Sequence, residues 1–88
     1  MPVWGIAPPE RYDHPYSGPE IVQMLTIGQI KAICGDWADA CSWLDGRTCR
    51  ILLPVGGLRL DFVKRHEEAH CNGWPPDHPY GRMVELAE

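Results

Sequence analysis

The sequence predicts a small α+β domain in which two helices accompany a β-hairpin or small sheet. Three observations support this prediction. Apolar residues recur at helical spacing after Thr26, strand-like runs flank Asp45-Gly46, and a stretch without proline or glycine follows Gly57. A single domain of 88 residues has a thin core, which usually needs disulfides, a metal or a partner as a further restraint.

The N-terminal segment is expected to form an extended, irregular arm. Residues 1–20 hold five of the nine prolines, and proline restricts the backbone and removes an amide donor. The domain itself is then assigned to residues 21–88. Within the arm, His14 and Tyr16 could lie across a cleft of the domain and act as a latch.

The first helix is predicted to run from Thr26 to Cys34. Thr26 and Gln29 have the spacing of a capping box, in which each side chain bonds to the backbone amide of the other residue. Gly35 follows the last apolar residue and ends the helical pattern.

A β-hairpin is predicted around Asp45-Gly46, a pair typical of two-residue hairpin turns. Its strands are expected near 40–44 and 47–53. Pro54 then ends the second strand, because proline cannot donate to a ladder of hydrogen bonds.

The second helix is predicted within the stretch LRLDFVKRHEEAHCN, residues 58–72, which is rich in helix formers. Asn72-Gly73 suits a left-handed helix C-terminus, and we expect the helix to end there. The tail GRMVELAE, residues 81–88, is expected to add a last helical turn or two.

Composition argues against two classes of partner. The net charge is -4, and the 8 Lys+Arg residues are scattered, whereas nucleic acids and anionic membranes select a basic stripe. No window approaches the apolar length of a membrane span. The N-terminus lacks the charged and apolar regions of a secretory signal, although a mature or trimmed chain would look the same. The oligomeric state is left open.

Four cysteines are an even count in a small chain, which favours two disulfides with three possible pairings. Disulfides would indicate an exported protein, periplasmic or secreted. The alternative is four reduced thiols packed as small apolar groups. A zinc finger is disfavoured because the spacing contains no CxxC knuckle. The cysteines are Cys34, Cys41, Cys49 and Cys71.

The stretch HEEAH carries the strongest chemical signal. His66 and His70 are four residues apart, so on a helix both imidazoles can bind one zinc ion. Glu67 would lie beside the ion without binding it, where a carboxylate can take a proton from a zinc-activated water and pass it to a leaving amine. This pattern predicts metal-assisted amide hydrolysis. The same five residues also occur by chance on solvated helices, but here a strand and loop precede them and a glycine turn follows.

The run from His66 to Gly73 resembles the zincin metallopeptidases. Gly73, three residues after the second histidine, is similar to the glycine of the metzincin extension HExxHxxGxxH. The resemblance implies a zinc-dependent peptidase that acts on a peptide or protein, in which the glycine turns the chain under the metal toward a third ligand. It also implies a strand of the hairpin whose edge binds an extended substrate. The position that matches the third ligand is Pro76, which cannot bind zinc.

The third ligand is therefore sought just after Pro76. We favour His78, because three imidazoles leave one zinc position open for water, and Asp77 is the alternative. Tyr80 could place a phenol where it stabilises an oxyanion. The alternative function is a non-catalytic, zinc- and disulfide-stabilised protein-binding module, in which Asp77 beside His78 would close the coordination sphere and Glu67 would have no assigned role.

Overall fold

Two helices and two small sheets make up the fold, which confirms the predicted α+β class. The computed structural model describes residues 1–88. One sheet is an antiparallel pair, β1 with β5, and the other has the order β2-β4-β3, with β2 parallel and β3 antiparallel to β4. The elements in chain order are β1 Val3–Ala7, β2 Glu20–Leu25, α1 Ile27–Cys34, β3 Cys41–Asp45, β4 Thr48–Pro54, α2 Leu60–Cys71 and β5 Arg82–Ala87.

Helix α1 begins where the capping box predicts. The Thr26 hydroxyl accepts a hydrogen bond from the Gln29 amide at 3.2 Å, and the Gln29 side chain accepts one from the Thr26 amide at 2.9 Å. The helix ends before Gly35, whose φ of +111° is in the range that favours glycine. Ile30 is fully buried, and α1 packs against β4 of the three-stranded sheet.

The hairpin turn lies one residue later than predicted. Asp45 pairs with Thr48, so the two-residue turn is Gly46-Arg47 rather than Asp45-Gly46. Gly46 has a φ of +60° at the first central position of the turn, where hairpins require a positive φ. The glycine therefore determines the turn, and Asp45 becomes the last residue of β3.

Both termini differ from the predictions. Residues Val3–Ala7 of the expected irregular arm form β1, and the C-terminal tail forms β5 instead of a helical turn. The two segments pair with each other, with Ile6 opposite Met83. Backbone hydrogen bonds between distant segments override the local preference of the tail for helix. The N-terminal arm is thus part of the folded structure at its first residues.

The main core lies between α2 and strand β4. Cys49, Ile51 and Leu53 project from β4 and are at most 3% exposed. Cys71, at the end of α2, is bonded to Cys49, so a disulfide joins the helix to the sheet within the core.

The second disulfide joins the end of α1 to the start of β3. Cys34 is bonded to Cys41, which closes a short loop, and no free cysteine remains. The prediction of two disulfides is confirmed, and one of the three pairings is selected. Disulfides persist in oxidising compartments, so the pair is typical of an exported protein. Neither helix has the length and apolar character needed to cross a bilayer.

Helix α2 ends in a Schellman motif, as Asn72-Gly73 predicts. The Trp74 amide donates to the carbonyl of Ala69 at 3.0 Å, and the Gly73 amide donates to that of His70 at 3.1 Å. Gly73 has a φ of +108°, and the motif turns the chain back beneath the helix. The residues that follow therefore lie next to the histidine-bearing face.

Candidate metal centre

Three histidines bring their Nε2 atoms together at the side of α2. The His66 and His78 Nε2 atoms are 3.1 Å apart, those of His70 and His78 3.2 Å, and those of His66 and His70 3.3 Å. The first two histidines are one helical turn apart, and the third comes from the segment after α2. The three nitrogens form a nearly equilateral triangle.

The orientation of two imidazoles is fixed by main-chain carbonyls. Nδ1 of His66 is 2.8 Å from the Ile6 carbonyl oxygen, and Nδ1 of His70 is 2.8 Å from the Trp74 carbonyl oxygen. Because a carbonyl oxygen can only accept, each Nδ1 carries the ring proton. In the neutral rings both Nε2 atoms then present lone pairs toward the centre of the triangle.

The triangle fits a tetrahedral metal ion. Nitrogens that bind one zinc ion at about 2.0–2.1 Å are about 3.3 Å from one another, close to the spacing of these three atoms. Two facing lone pairs cannot satisfy each other by a hydrogen bond, whereas a cation satisfies both. The group of His66, His70 and His78 could therefore hold a metal ion.

Trp74 forms the apolar side of the cluster. Its side chain is 2% exposed and stacks on the ring of His70, with centroids 4.8 Å apart. It meets His66 and His78 edge-on at 5.0 and 4.9 Å, and its Nε1 donates to the Pro79 carbonyl at 2.9 Å. One buried indole thus contacts all three imidazoles and holds the loop that carries His78.

His78 reaches the cluster from a left-handed backbone conformation. Its φ is +59°, which costs a non-glycine residue about 1–3 kcal/mol and persists only where the surroundings hold it. Two turns do so, since the His78 amide donates to Pro75 at 3.0 Å and the Gly81 amide donates to His78 at 3.1 Å. Asp77, the alternative ligand, is exposed and lies outside the histidine group.

Glu67, the residue after His66 on α2, lies beside the histidine cluster and is 7% exposed. Its Oε1 accepts a hydrogen bond of 2.7 Å from the Ser42 hydroxyl, which is also 3.1 Å from the Glu67 carbonyl oxygen. Burial raises the pKa of Glu67, opposed by the Ser42 hydrogen bond and by His70 and His78. The carboxyl group is thus held beside the cluster but is not part of it.

Burial keeps two of the imidazoles in the form that binds metals. It lowers the pKa of His66, against the hydrogen bond to Ile6, and it lowers the pKa of His78, with a further contribution from the other two histidines. A lowered pKa favours the neutral ring, which is the ligand form.

The cluster opens into a cleft of about 750 Å³. Its walls come from β1, from α2 and the segment after it, from the segment that joins α1 to β3 and continues into that strand, and from Leu86 of β5. Ser42, Glu67 and the three histidines all line it. Glu67 and the three histidines expected from the sequence therefore share one solvent-accessible space.

Three residues predicted near the metal lie elsewhere. Tyr80 is 82% exposed and lines a separate cavity of about 920 Å³ together with His14, so the position gives no support to a role in oxyanion stabilisation. The carbonyl of His14 accepts a hydrogen bond of 2.7 Å from Asn72, and the Tyr16 hydroxyl donates to the Arg47 carbonyl. Neither His14 nor Tyr16 lines the cleft, so the structure gives no support to the latch.

Three contributors were missed by the sequence analysis. The Ile6 carbonyl and Ser42 come from strands 60 and 25 residues away from their partners, and no local pattern marks them. Trp74 did carry a signal, because an apolar residue two positions after a helix end often packs back on the last turn.

Comparisons of the chain with protein-family models, with curated proteins and with solved structures found no match.

Proposed function

We propose that this protein is a zinc-dependent peptidase in which His66, His70 and His78 bind the metal and Glu67 transfers protons. The observation that carries the proposal is the combination of a three-nitrogen site with a carboxyl group held outside it by Ser42. Three protein ligands leave one zinc position for water, as in catalytic zinc sites. A bound zinc ion would supply an acidified water and polarise the carbonyl of the scissile bond.

The role of Glu67 follows from its position. Its carboxylate lines the cleft beside the histidines, so it can accept a proton from a water in that space and return it to the leaving amine. The Ser42 hydroxyl occupies one carboxyl oxygen and leaves the other available for this exchange. Ser42 thereby orients the group that moves the proton.

The position of β3 is consistent with a peptide substrate. It is an outer strand of the three-stranded sheet, and Ser42 and Cys41 from this strand line the cleft. An extended peptide could add to its unpaired edge and pass next to the histidines. Main-chain hydrogen bonds would then hold the scissile bond near Glu67.

A metal-stabilised binding module is the second candidate, and one observation favours it. The cluster ties together distant parts of the chain, because His66 bonds to β1 through Ile6 and His78 belongs to the segment before β5. A metal there would stabilise a domain with only 13 buried residues. A hydrolysis assay distinguishes the two candidates, because a binding module would hold the metal without cleaving a peptide.

The test combines metal analysis with a peptidase assay. Protein purified without added metal is expected to contain about one zinc per chain, and it should cleave a quenched fluorescent casein or a mixed peptide library. Chelation should abolish cleavage, and added zinc should restore it. Stoichiometric zinc without any cleavage would favour the binding module. Folded protein without affinity for zinc would overturn both candidates.

A further inference from the structure

The cleft is bordered by a tryptophan that has almost no contacts of its own. Trp37 lines the cleft, yet its side chain is 99% exposed. A large aromatic residue that is this exposed is informative, because covering it with an apolar group is favourable. Trp37 is therefore available to bind an apolar group in the cleft that the histidine cluster lines.

The loop that carries Trp37 is well fixed. It runs from Gly35 to Ala40, between the two cysteines of the Cys34–Cys41 disulfide. The Ala38 amide donates to the Gly35 carbonyl at 3.0 Å, which closes a turn around the tryptophan.

The side chain of Lys31 adds two further contacts to this loop. Its Nζ lies 2.8 Å from the Asp36 carbonyl oxygen and 3.3 Å from the Asp39 carboxylate. The indole is therefore presented by a restrained loop, so little conformational entropy is lost when a ligand covers it.

A second tryptophan comes from another wall of the same cleft. Trp4 projects from β1 and is 53% exposed, and Phe62 of α2 lines the space with it. Gly5 lets the Phe62 ring pack directly against β1, because a Cβ at this position would be 2.7 Å from the ring. Aromatic side chains thus line the cleft from three separate elements.

The charges that line the cleft restrict the class of ligand that it can bind. Asp39 is the only ionisable residue that lines it apart from Glu67 and the histidines, and it is 79% exposed. No lysine or arginine lines the cleft, so apart from a bound metal ion nothing there would compensate the charge of an acidic side chain. An apolar side chain with neutral or basic neighbours suits this lining.

We propose that Trp37, together with Trp4, forms a subsite for a large apolar side chain of a neutral or basic peptide. The inference rests on the proposed peptidase function, because it names the substrate class of that centre. The indoles contact the side chain, while the peptide backbone passes the histidines. Aromatic and leucine-sized side chains are bound, and acidic ones are rejected.

Binding to a protein that cannot turn over isolates the subsite from catalysis. The zinc-loaded Glu67→Gln protein is titrated calorimetrically with three blocked peptides that differ only in a central Phe, Ala or Asp. The Phe peptide should bind at least about 10-fold tighter than the Asp peptide. Trp37→Ala in this background should weaken the Phe peptide about 10-fold, with little effect on the Ala peptide and an unchanged zinc content.

Leu58→Ala is the control. Leu58 is a large apolar residue that is 61% exposed and lies in the loop before α2, away from the cleft, so its removal should leave all three affinities unchanged. Equal losses in the Trp37 and Leu58 variants, no loss in either, or no binding of any peptide would overturn the subsite.

The outcome for the subsite is distinguishable from the outcome for the proposed function. Selective, Trp37-dependent binding to a protein whose wild type never cleaves would retain the subsite and refute the peptidase. Cleavage by the wild type, together with peptide binding that does not depend on Trp37, would retain the peptidase and refute the subsite.

Discussion

Two adjacent glutamates on α2 offer the clearest comparison in this molecule. Glu67 and Glu68 are 7% and 6% exposed, and burial is the main cause that raises the pKa of both carboxyl groups. Because successive residues on a helix point in different directions, the two side chains enter different environments. The same residue type, equally buried, is therefore surrounded by different chemistry.

Their neighbours differ in kind. Glu67 is bonded to Ser42 and lines the cleft with the histidines, whereas Glu68 lies near the Glu20 carboxyl group of β2, which further raises its pKa. Lys64 lies 3.4 Å from Glu20 and 3.9 Å from Glu68, and compensates part of their charge. Burial alone thus does not distinguish the carboxyl group that we propose to react from a structural one. Access to the histidine cluster and to open space does.

The largest expected effect is on peptide cleavage, which should distinguish a substitution of Glu67 from one of Glu68. Glu67→Gln should lower turnover about 10²–10⁴-fold, because the amide cannot transfer protons. Zinc content should be unchanged, since Glu67 is not among the clustered histidines. Glu68→Gln, the matched control, should retain turnover within about 3-fold. The check is peptide cleavage with zinc quantified in each sample, and equal losses in both variants would contradict the assignment.

The next effect concerns the metal rather than the proton. His78→Ala removes one of the three Nε2 atoms. It should weaken zinc binding more than about 100-fold, because losing a residue that only hydrogen-bonds to a ligand already costs about 10–100-fold. Asp77→Ala, one residue away and exposed, should change the affinity little. Competition with a chromophoric chelator measures both. A larger loss in Asp77→Ala would transfer the ligand role to the carboxylate.

What the sequence could predict depended on how local each feature is. The capping box of Thr26 and Gln29 and the left-handed turn at Gly73 involve neighbours in sequence, and the structure confirms both. The pair His66 and His70 needs only a helix to share one face. Such features depend on backbone geometry within one or two turns, which the residue types determine directly.

Non-local contacts account for the errors. The residues of β5 have good helix propensity, but their partner strand β1 lies near the other end of the chain and decides their conformation. The roles of Ile6 and Ser42 were equally hidden, because each faces α2 only after the sheets have formed. The hairpin turn was shifted because Gly46, not the Asp-Gly pair, supplies the positive φ.

A smaller effect tests what orients Glu67. Ser42→Ala removes the 2.7 Å hydrogen bond to its carboxyl oxygen and should lower kcat about 10-fold, with KM and zinc affinity nearly unchanged. Ser42→Thr keeps the hydroxyl and should recover most of kcat. Steady-state kinetics with a defined peptide provides the measurement. A change confined to KM, or no rescue by threonine, would show that Ser42 acts only in packing.

The smallest effect uses pH to test Glu68. Because burial and Glu20 raise its pKa, the folded protein retains a proton that the unfolded chain releases above its ordinary value of 4.5. The unfolding free energy due to this group is therefore highest below that value and falls as pH rises through the raised pKa. Glutamine does not titrate, so Glu68→Gln should lose less stability across this window than the wild type.

Urea denaturation of the metal-free protein at pH 4.5 and pH 8 measures this difference, since chelation removes any contribution from metal release. Glu10→Gln is a suitable control, because Glu10 is exposed and should leave the pH dependence unchanged. An identical pH dependence in the wild type and Glu68→Gln would mean that Lys64 compensates the charge fully. Glu68 would then differ from Glu67 in having its charge fully balanced by Lys64, on the part of α2 that does not line the cleft.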